Sequence, residues 1–171
     1  MTARPQPATL DEFSDGVITA FAGGSNAHAA LCLTLTSAVH VHLRGSRYRA
    51  FGSDALVLTG SSGRSPDLTV SCDDRDLGDL YETGISFPKL IVEVLSESTA
   101  AVDRGAKLDE YRALATLEDY VLVDARRRWV ATYLRIVHEW IASRQMSDGT
   151  PCLASVDLTL DIATLYADAG P

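Results

Sequence analysis

The chain is short of cysteine, of long apolar runs and of basic charge, and each shortage narrows what it can be. No apolar stretch among its 171 residues approaches the roughly 20 needed to span a bilayer, so no membrane partner is expected. Met1 to Asp11 lacks the basic-then-apolar plan of a secretory signal. The three cysteines, Cys32, Cys72 and Cys152, are odd in number and show no CxxC spacing. Cys32 and Cys72 fall in apolar elements and read as buried small hydrophobes. Together these features make the cytoplasm the expected compartment. Lys and Arg total 15 against 23 Asp and Glu, a net charge of −8, which argues against tight nonspecific attachment to nucleic acid. A nucleic-acid enzyme with this balance needs a local basic surface. Arg44, Arg47 and Arg49, and the triplet Arg126-Arg127-Arg128, are the candidates, although solvated turn charges are the plainer reading.

What is present suits one ordinary domain over 1–171, with its core at about 9–166. Apolar residues make up 46% and charged residues 22%, which excludes a disordered chain, and neither repeats nor low-complexity linkers occur. A strand is predicted at 17–21 after the turn Ser14-Asp15-Gly16. A helix capped by Ser25 or Asn26 follows, running to about Arg44 and stopping at Gly45. Its buried face holds Leu31, Leu35, Ala38, Val39 and His42, with His28 joining from the first turn. Strands are predicted at 48–51 and 54–59, and Ser61 to Pro66 reads as a turn-rich break. Strands at 68–72 and 88–95 flank an acidic loop containing Asp73, Asp74, Asp76 and Asp79. Ser98 or Thr99 caps a second helix to about Ala115. Strands at 119–124 and 129–135 form a hairpin around the arginine triplet, and shorter apolar stretches lie near 138–142 and 156–166. Trp129 and Trp140 fall in strands, in core or interface positions. The expected fold class is α/β, a mixed β-sheet flanked by two main helices.

Glu93 is the residue that this plan leaves unexplained. It is the only charge inside Leu90-Ile91-Val92-Glu93-Val94-Leu95, a run that reads as a strand buried on both faces. A carboxylate there must shift its pKa or find a cation. Asp67 opens the preceding strand, directly after Pro66. Antiparallel neighbours would set Asp67 and Glu93 at the same end of the sheet. Two carboxylates about 4 Å apart repel by roughly 4 kcal/mol at an effective dielectric near 20. Mg²⁺ or Mn²⁺ would resolve that conflict. Lys107 sits at the edge of the second helix's apolar stripe, near Asp103, Tyr111 and Leu114, where its ammonium could reach inward. An i,i+4 pair with Asp103 is the alternative. Two acids and a lysine in this order outline a metal-dependent phosphodiesterase.

Pro66-Asp67, Val92-Glu93-Val94-Leu95-Ser96, Asp103-Arg104, Lys107, Tyr111 and Glu118-Asp119-Tyr120-Val121-Leu122-Val123-Asp124 together resemble the Uma-two family. That family is of restriction-endonuclease type, within the PD-(D/E)xK nuclease superfamily. Glu12-Phe13-Ser14-Asp15-Gly16 is similar to its Glu-x-x-Asp-Gly entry, and the likeness extends from about Thr9 to Tyr166. The resemblance implies a restriction-endonuclease-like core with Asp67 and Glu93 as metal ligands and Mg²⁺ or Mn²⁺ as cofactor. Leu95 stands where the superfamily places its lysine, and Lys107 takes that role from the following helix. Glu12, His28 and Asp103 become accessory candidates, Asp103 as the residue that positions Lys107. By analogy, a homodimer acting on nucleic acid, DNA in the first place, is expected.

The leading function is therefore a Mg²⁺-dependent DNA endonuclease. A catalytically silent module that keeps the nuclease fold to bind a partner is the alternative, motivated by the acidic surface and the lack of a separate DNA-reading domain. An acid–base hydrolase using Asp67 and Glu93 without metal has no sugar-recognition features to support it.

Overall fold

The computed structural model describes residues 10–14, 16–21, 24–60, 62–81, 84–97 and 99–170. Thr9, Asp15, Ser61 and Ser98, named above, lie outside the described residues.

In chain order the strands and helices are β1 (Leu10–Ser14), β2 (Val17–Phe21), α1 (Asn26–His42), β3 (Arg49–Gly52), β4 (Val57–Thr59), β5 (Ser62–Arg64), β6 (Leu68–Ser71) and α2 (Asp74–Leu77). Then follow β7 (Pro88–Leu95), α3 (Ala100–Arg104), α4 (Ala106–Arg112), β8 (Asp119–Asp124), β9 (Val130–Ile136) and β10 (Glu139–Met146). The short elements β11 (Cys152–Leu153), β12 (Leu158–Thr159) and α5 (Ile162–Leu165) close the described part.

The central sheet has six strands in the order β10-β9-β8-β7-β6-β3. It is mixed: β7 and β8 run parallel, and the other pairs are antiparallel. Parallel neighbours need a crossover, and α3 and α4 lie within it. Period-two alternation divides β7 between two apolar clusters. Leu90, Val92 and Val94 join Leu31, Leu35 and Val39 of α1 in one cluster; Ile91 and Leu95 join Leu108, Tyr111 and Tyr120 in the other. Strands β7 and β8 are thus covered on both faces, which is why they read as almost continuous apolar runs.

Several elements differ from the sequence expectation for definable reasons. The segment expected as a turn contains β5, which belongs to a second sheet in the order β2-β1-β5-β4. Ser62-Gly63-Arg64 has no apolar period; pairing holds it, with Phe13 opposite Gly63 and Leu58 opposite Gly63 on the other side. A Cβ at Gly63 would run into the Phe13 ring, so glycine permits this close approach. The second long helix is instead two short ones, α3 and α4, divided at Gly105 (φ −117°, ψ −101°). Glycine tolerates that backbone where other residues favour continuation. The first helix ends at His42 with Leu43 as C-cap, and Gly45 takes φ +78°. His42 is exposed rather than on the buried face, and its Nε2 donates to the Val156 carbonyl at 2.9 Å. The acidic loop contains α2, capped by Asp73. Trp129 precedes β9 rather than lying within it.

The cysteine expectation is also corrected. Cys32 and Cys72 are only partly buried, and Cys152 is exposed. Cys72 accepts from Arg47 at 3.5 Å, and Cys32 faces polar partners described below. Arg44, Arg47, Arg49, Arg126, Arg127 and Arg128 are exposed. No helix among the described residues is long and apolar enough to cross a membrane.

Candidate active site

The β6–β7 pairing controls the geometry. Leu68 lies opposite Val92, so the next positions outward are Asp67 and Glu93, at one end of the sheet. Asp67 Oδ2 accepts the Val94 backbone N–H at 2.7 Å, which anchors the carboxylate to the strand that carries Glu93. Pro66 restricts Ser65 to extended backbone, which straightens the chain on its way into β6.

Glu93 alternates with Val92 and Val94 and therefore projects away from the α1 face, toward α4. Lys107 Nζ and the Tyr111 hydroxyl each donate to Glu93 Oε1 at 3.0 Å. Neither contact uses Oε2. Lys107 and Tyr111 are four residues apart on α4 and so share a face. Lys107 Nζ also lies 2.9 Å from Glu12 Oε1 and 3.2 Å from Asp103 Oδ1. Glu12, Glu93, Asp103 and Lys107 are all buried, at 1–4% exposure. Lysine at that depth is tolerable only with close anions.

Leu95 lies two residues after Glu93 on β7. It is buried in the apolar cluster beside Tyr111, and the ammonium arrives at Glu93 from α4. The second sheet contributes too. Arg64 of β5 donates to Glu12 Oε2 at 3.2 Å and to Glu110 Oε2 at 2.7 Å, and Ser65 N donates to Glu12 Oε1 at 3.1 Å. Arg64 and Glu110 were not singled out from sequence, because only a tertiary pairing of β5 with α4 brings them together. In the sequence, Tyr111 reads as part of the apolar stripe. Its hydroxyl was the available signal, since a buried tyrosine needs a hydrogen-bond partner.

Asp67 faces a different group. His28 Nε2 is 3.5 Å from Asp67 Oδ1, and the Cys32 thiol donates to the same oxygen at 3.4 Å. His28 thus lies at the Asp67 end of the cluster, while Glu12 and Asp103 lie at the Lys107 end.

The electrostatics follow from this crowding. Burial pushes Glu93 well above the usual carboxylate range; Lys107 opposes the shift, and Asp103 and Asp67 add to it. Asp103 is raised for the same leading reason. Burial alone would lower Lys107, but Glu93, Asp103 and Glu12 more than reverse it, so the ammonium holds its proton firmly. The hydrogen bond to Asp67 raises His28 against the opposing effect of burial. Among the described residues, five carboxylates (Glu12, Asp67, Glu93, Asp103 and Glu110) meet three basic groups (Lys107, Arg64 and His28). With all five carboxylates ionised, two negative charges would remain even with His28 protonated, and the upward shifts of Glu93 and Asp103 reflect the cost of that state without a further cation. Hard oxygen donors with surplus negative charge fit Mg²⁺ or Mn²⁺.

A family model described as "Putative restriction endonuclease", Uma2, matches residues 5–163. The chain belongs to the Uma2 family. It is 31% identical over 158 residues to "Uncharacterized protein slr1290" of Synechocystis sp., covering 91% of this chain and 82% of that protein. A second Synechocystis protein, "Uncharacterized protein sll1609", is 28% identical over 146 residues, covering 84% and 82% of the two chains. Among solved structures, a "putative nuclease belonging to DUF820 from Anabaena variabilis" superposes with a TM-score of 0.74 at 18% identity, covering 97% of this chain and 93% of that one. At that identity the likeness establishes the fold. This Uma2 chain therefore has the mixed α/β architecture of a restriction-endonuclease-like protein, as the sequence pattern led one to expect.

Proposed function

We propose that this Uma2 protein is a divalent-metal-dependent endonuclease that hydrolyses DNA phosphodiester bonds, with Asp67 and Glu93 as metal ligands. The observation that carries this reading is the Lys107–Glu93 pair between α4 and β7, with Asp67 one position beyond the Leu68–Val92 pairing on the neighbouring strand. Asp67 is pinned to the Val94 N–H, and Glu93 shares Oε1 with Lys107. Family membership supports nuclease chemistry in general. The excess of carboxylates over basic groups in this cluster supports a cation in particular.

A bound Mg²⁺ or Mn²⁺ would supply a polarised water and neutralise charge at the scissile phosphate. Lys107 provides a fixed positive charge beside Glu93, placed to offset the negative charge that develops on the phosphoryl oxygens. Glu12 and Asp103 hold its Nζ from two other directions, so the ammonium is oriented before substrate arrives. Arg64 in turn fixes Glu12. His28 orients Asp67 from the α1 side, opposite the Val94 N–H. The substrate is expected to be DNA and the active form a homodimer acting in the cytoplasm.

The test is cleavage of plasmid DNA by purified protein with Mg²⁺, Mn²⁺ or chelator. Asp67→Ala, Glu93→Ala and Lys107→Ala should each reduce divalent-dependent nicking by about 10²-fold or more, while circular dichroism checks that the fold is kept. Robust nicking by Glu93→Ala would refute the assignment. If neither ion raises the melting temperature nor supports cleavage, the silent binding module becomes the better reading.

A further inference from the structure

Beside the imidazole that orients Asp67, this end of the cluster holds a thiol that phosphodiester hydrolysis by a hard cation does not require. His28 and Cys32 are four residues apart on α1, so one helical turn stacks them over Asp67. Cys32 Sγ lies 3.4 Å from Asp67 Oδ1 and 3.5 Å from His28 Nδ1, and His28 Nε2 lies 3.5 Å from Asp67 Oδ1. With one ligand atom taken from each residue, all three fall within 4.8 Å of one another. A tetrahedral zinc ion, with bonds of about 2.0–2.3 Å, sets its ligand atoms roughly 3.4–3.6 Å apart. The Cys32 Sγ–Asp67 Oδ1 separation of 3.4 Å already matches one edge of such a polyhedron. A turn of the imidazole that gives the ion one nitrogen, in place of sharing two between Cys32 and Asp67, completes the set.

The donor types discriminate among ions. Thiolate and imidazole suit zinc and its transition-metal neighbours, whereas Mg²⁺ prefers oxygen and water. Access is also available: His28 and Asp67 side chains keep 17% and 15% of their exposure, against 3–5% for Glu12, Glu93 and Lys107.

We propose that His28, Cys32 and Asp67 form a binding site for a divalent ion of the zinc class, and that its occupancy withdraws Asp67 from the hard cation. The site itself stands on the three side chains; the competition rests on the nuclease reading above. On binding, the Cys32 S–H bond breaks, its proton passes to solvent, and the thiolate electron pair forms the metal–sulfur bond. A fourth position remains for water.

Cobalt(II) is the probe, because a thiolate–cobalt bond absorbs in the near ultraviolet and needs no cleavage assay. Titration of the reduced protein should give a charge-transfer band that saturates at one equivalent and is displaced by Zn²⁺. Cys32→Ser and His28→Ala should each lose it, while the Cys72→Ser/Cys152→Ser double variant keeps it, with melting curves verifying that all are folded. No band in the parent protein, or a band retained in folded Cys32→Ser, would overturn the site. For the competition, excess Mg²⁺ and Asp67→Asn should each weaken the cobalt band. A band indifferent to both would overturn the sharing of Asp67. Failure of Mg²⁺-dependent cleavage would strike the nuclease reading alone and leave the cobalt result standing.

Discussion

The two faces of β7 solve the same burial problem in opposite ways. On one side, Leu90, Val92 and Val94 meet Leu31, Leu35 and Val39 of α1, and every one of these side chains is apolar and closed to solvent. On the other, Ile91 and Leu95 flank Glu93, and that side adds Lys107, Asp103 and Glu12 at comparable depth. A methylene gains free energy simply by leaving water, whatever its neighbours. A carboxylate gains only when a cation and hydrogen-bond donors replace the water lost. The α1 face is therefore tolerant of detail, and the α4 face depends on individual atoms. That contrast separates the part of β7 that holds the molecule together from the part available for chemistry.

The sharpest way to break the comparison is to remove the cation. Lys107→Met leaves Glu12, Glu93 and Asp103 buried without the ammonium that lies within 3.2 Å of each. The expected loss is about 3–5 kcal/mol, typical of a buried pair deprived of one partner, read from urea unfolding at neutral pH. A loss below about 1 kcal/mol would mean that the carboxylates relax into water and that the α4 face is not closed as described.

A truncation on the apolar face comes next. Leu35→Ala should cost about 2–4 kcal/mol through lost transfer energy and a residual cavity. Its effect on thermal stabilisation by Mg²⁺ should be nil, because Leu35 contacts the α1 side alone. A Leu35→Ala protein whose Mg²⁺ response changed at unaltered fold would show that the two faces are coupled through β7.

Much of this division was legible beforehand, and the reason is periodicity. An uninterrupted branched apolar run with one acid at its fourth place announces a buried charge, and Leu31, Leu35 and Val39 repeat at helical spacing. Asp67 was legible by register, since antiparallel pairing of 68–72 with 88–95 leaves little freedom. The second sheet was not legible, because Ser62-Gly63-Arg64 is a strand by virtue of its partners rather than its composition. Arg64, which ties Glu12 to Glu110, was hidden with it. The division of the second helix could have been anticipated from Gly105, which weakens a helix interior by about 1 kcal/mol relative to alanine. The polar surroundings of Cys32 are not legible, because an apolar helix context says nothing about a carboxylate arriving from another strand.

The smallest effect is the most discriminating, because it concerns sign. Glu93 binds its proton more tightly when folded than an unfolded glutamate does, burial being the main cause. Between the unfolded pKa of about 4.3 and the raised folded value, the native state carries more protons. This residue therefore makes metal-free stability fall as pH rises through that window. Glu93→Gln removes the titration while keeping the acceptor for Tyr111 and Lys107. The variant should equal the parent protein near pH 4 and exceed it at pH 8, by about 1.4 kcal/mol for each unit by which the pKa is raised. Unfolding free energies of both proteins at the two pH values give the comparison directly. Should Glu93→Gln be the less stable of the two at pH 8, Lys107 holds the ionised carboxylate at a net gain. The α4 face would then be a finished ion-pair network with no surplus charge to offer a metal.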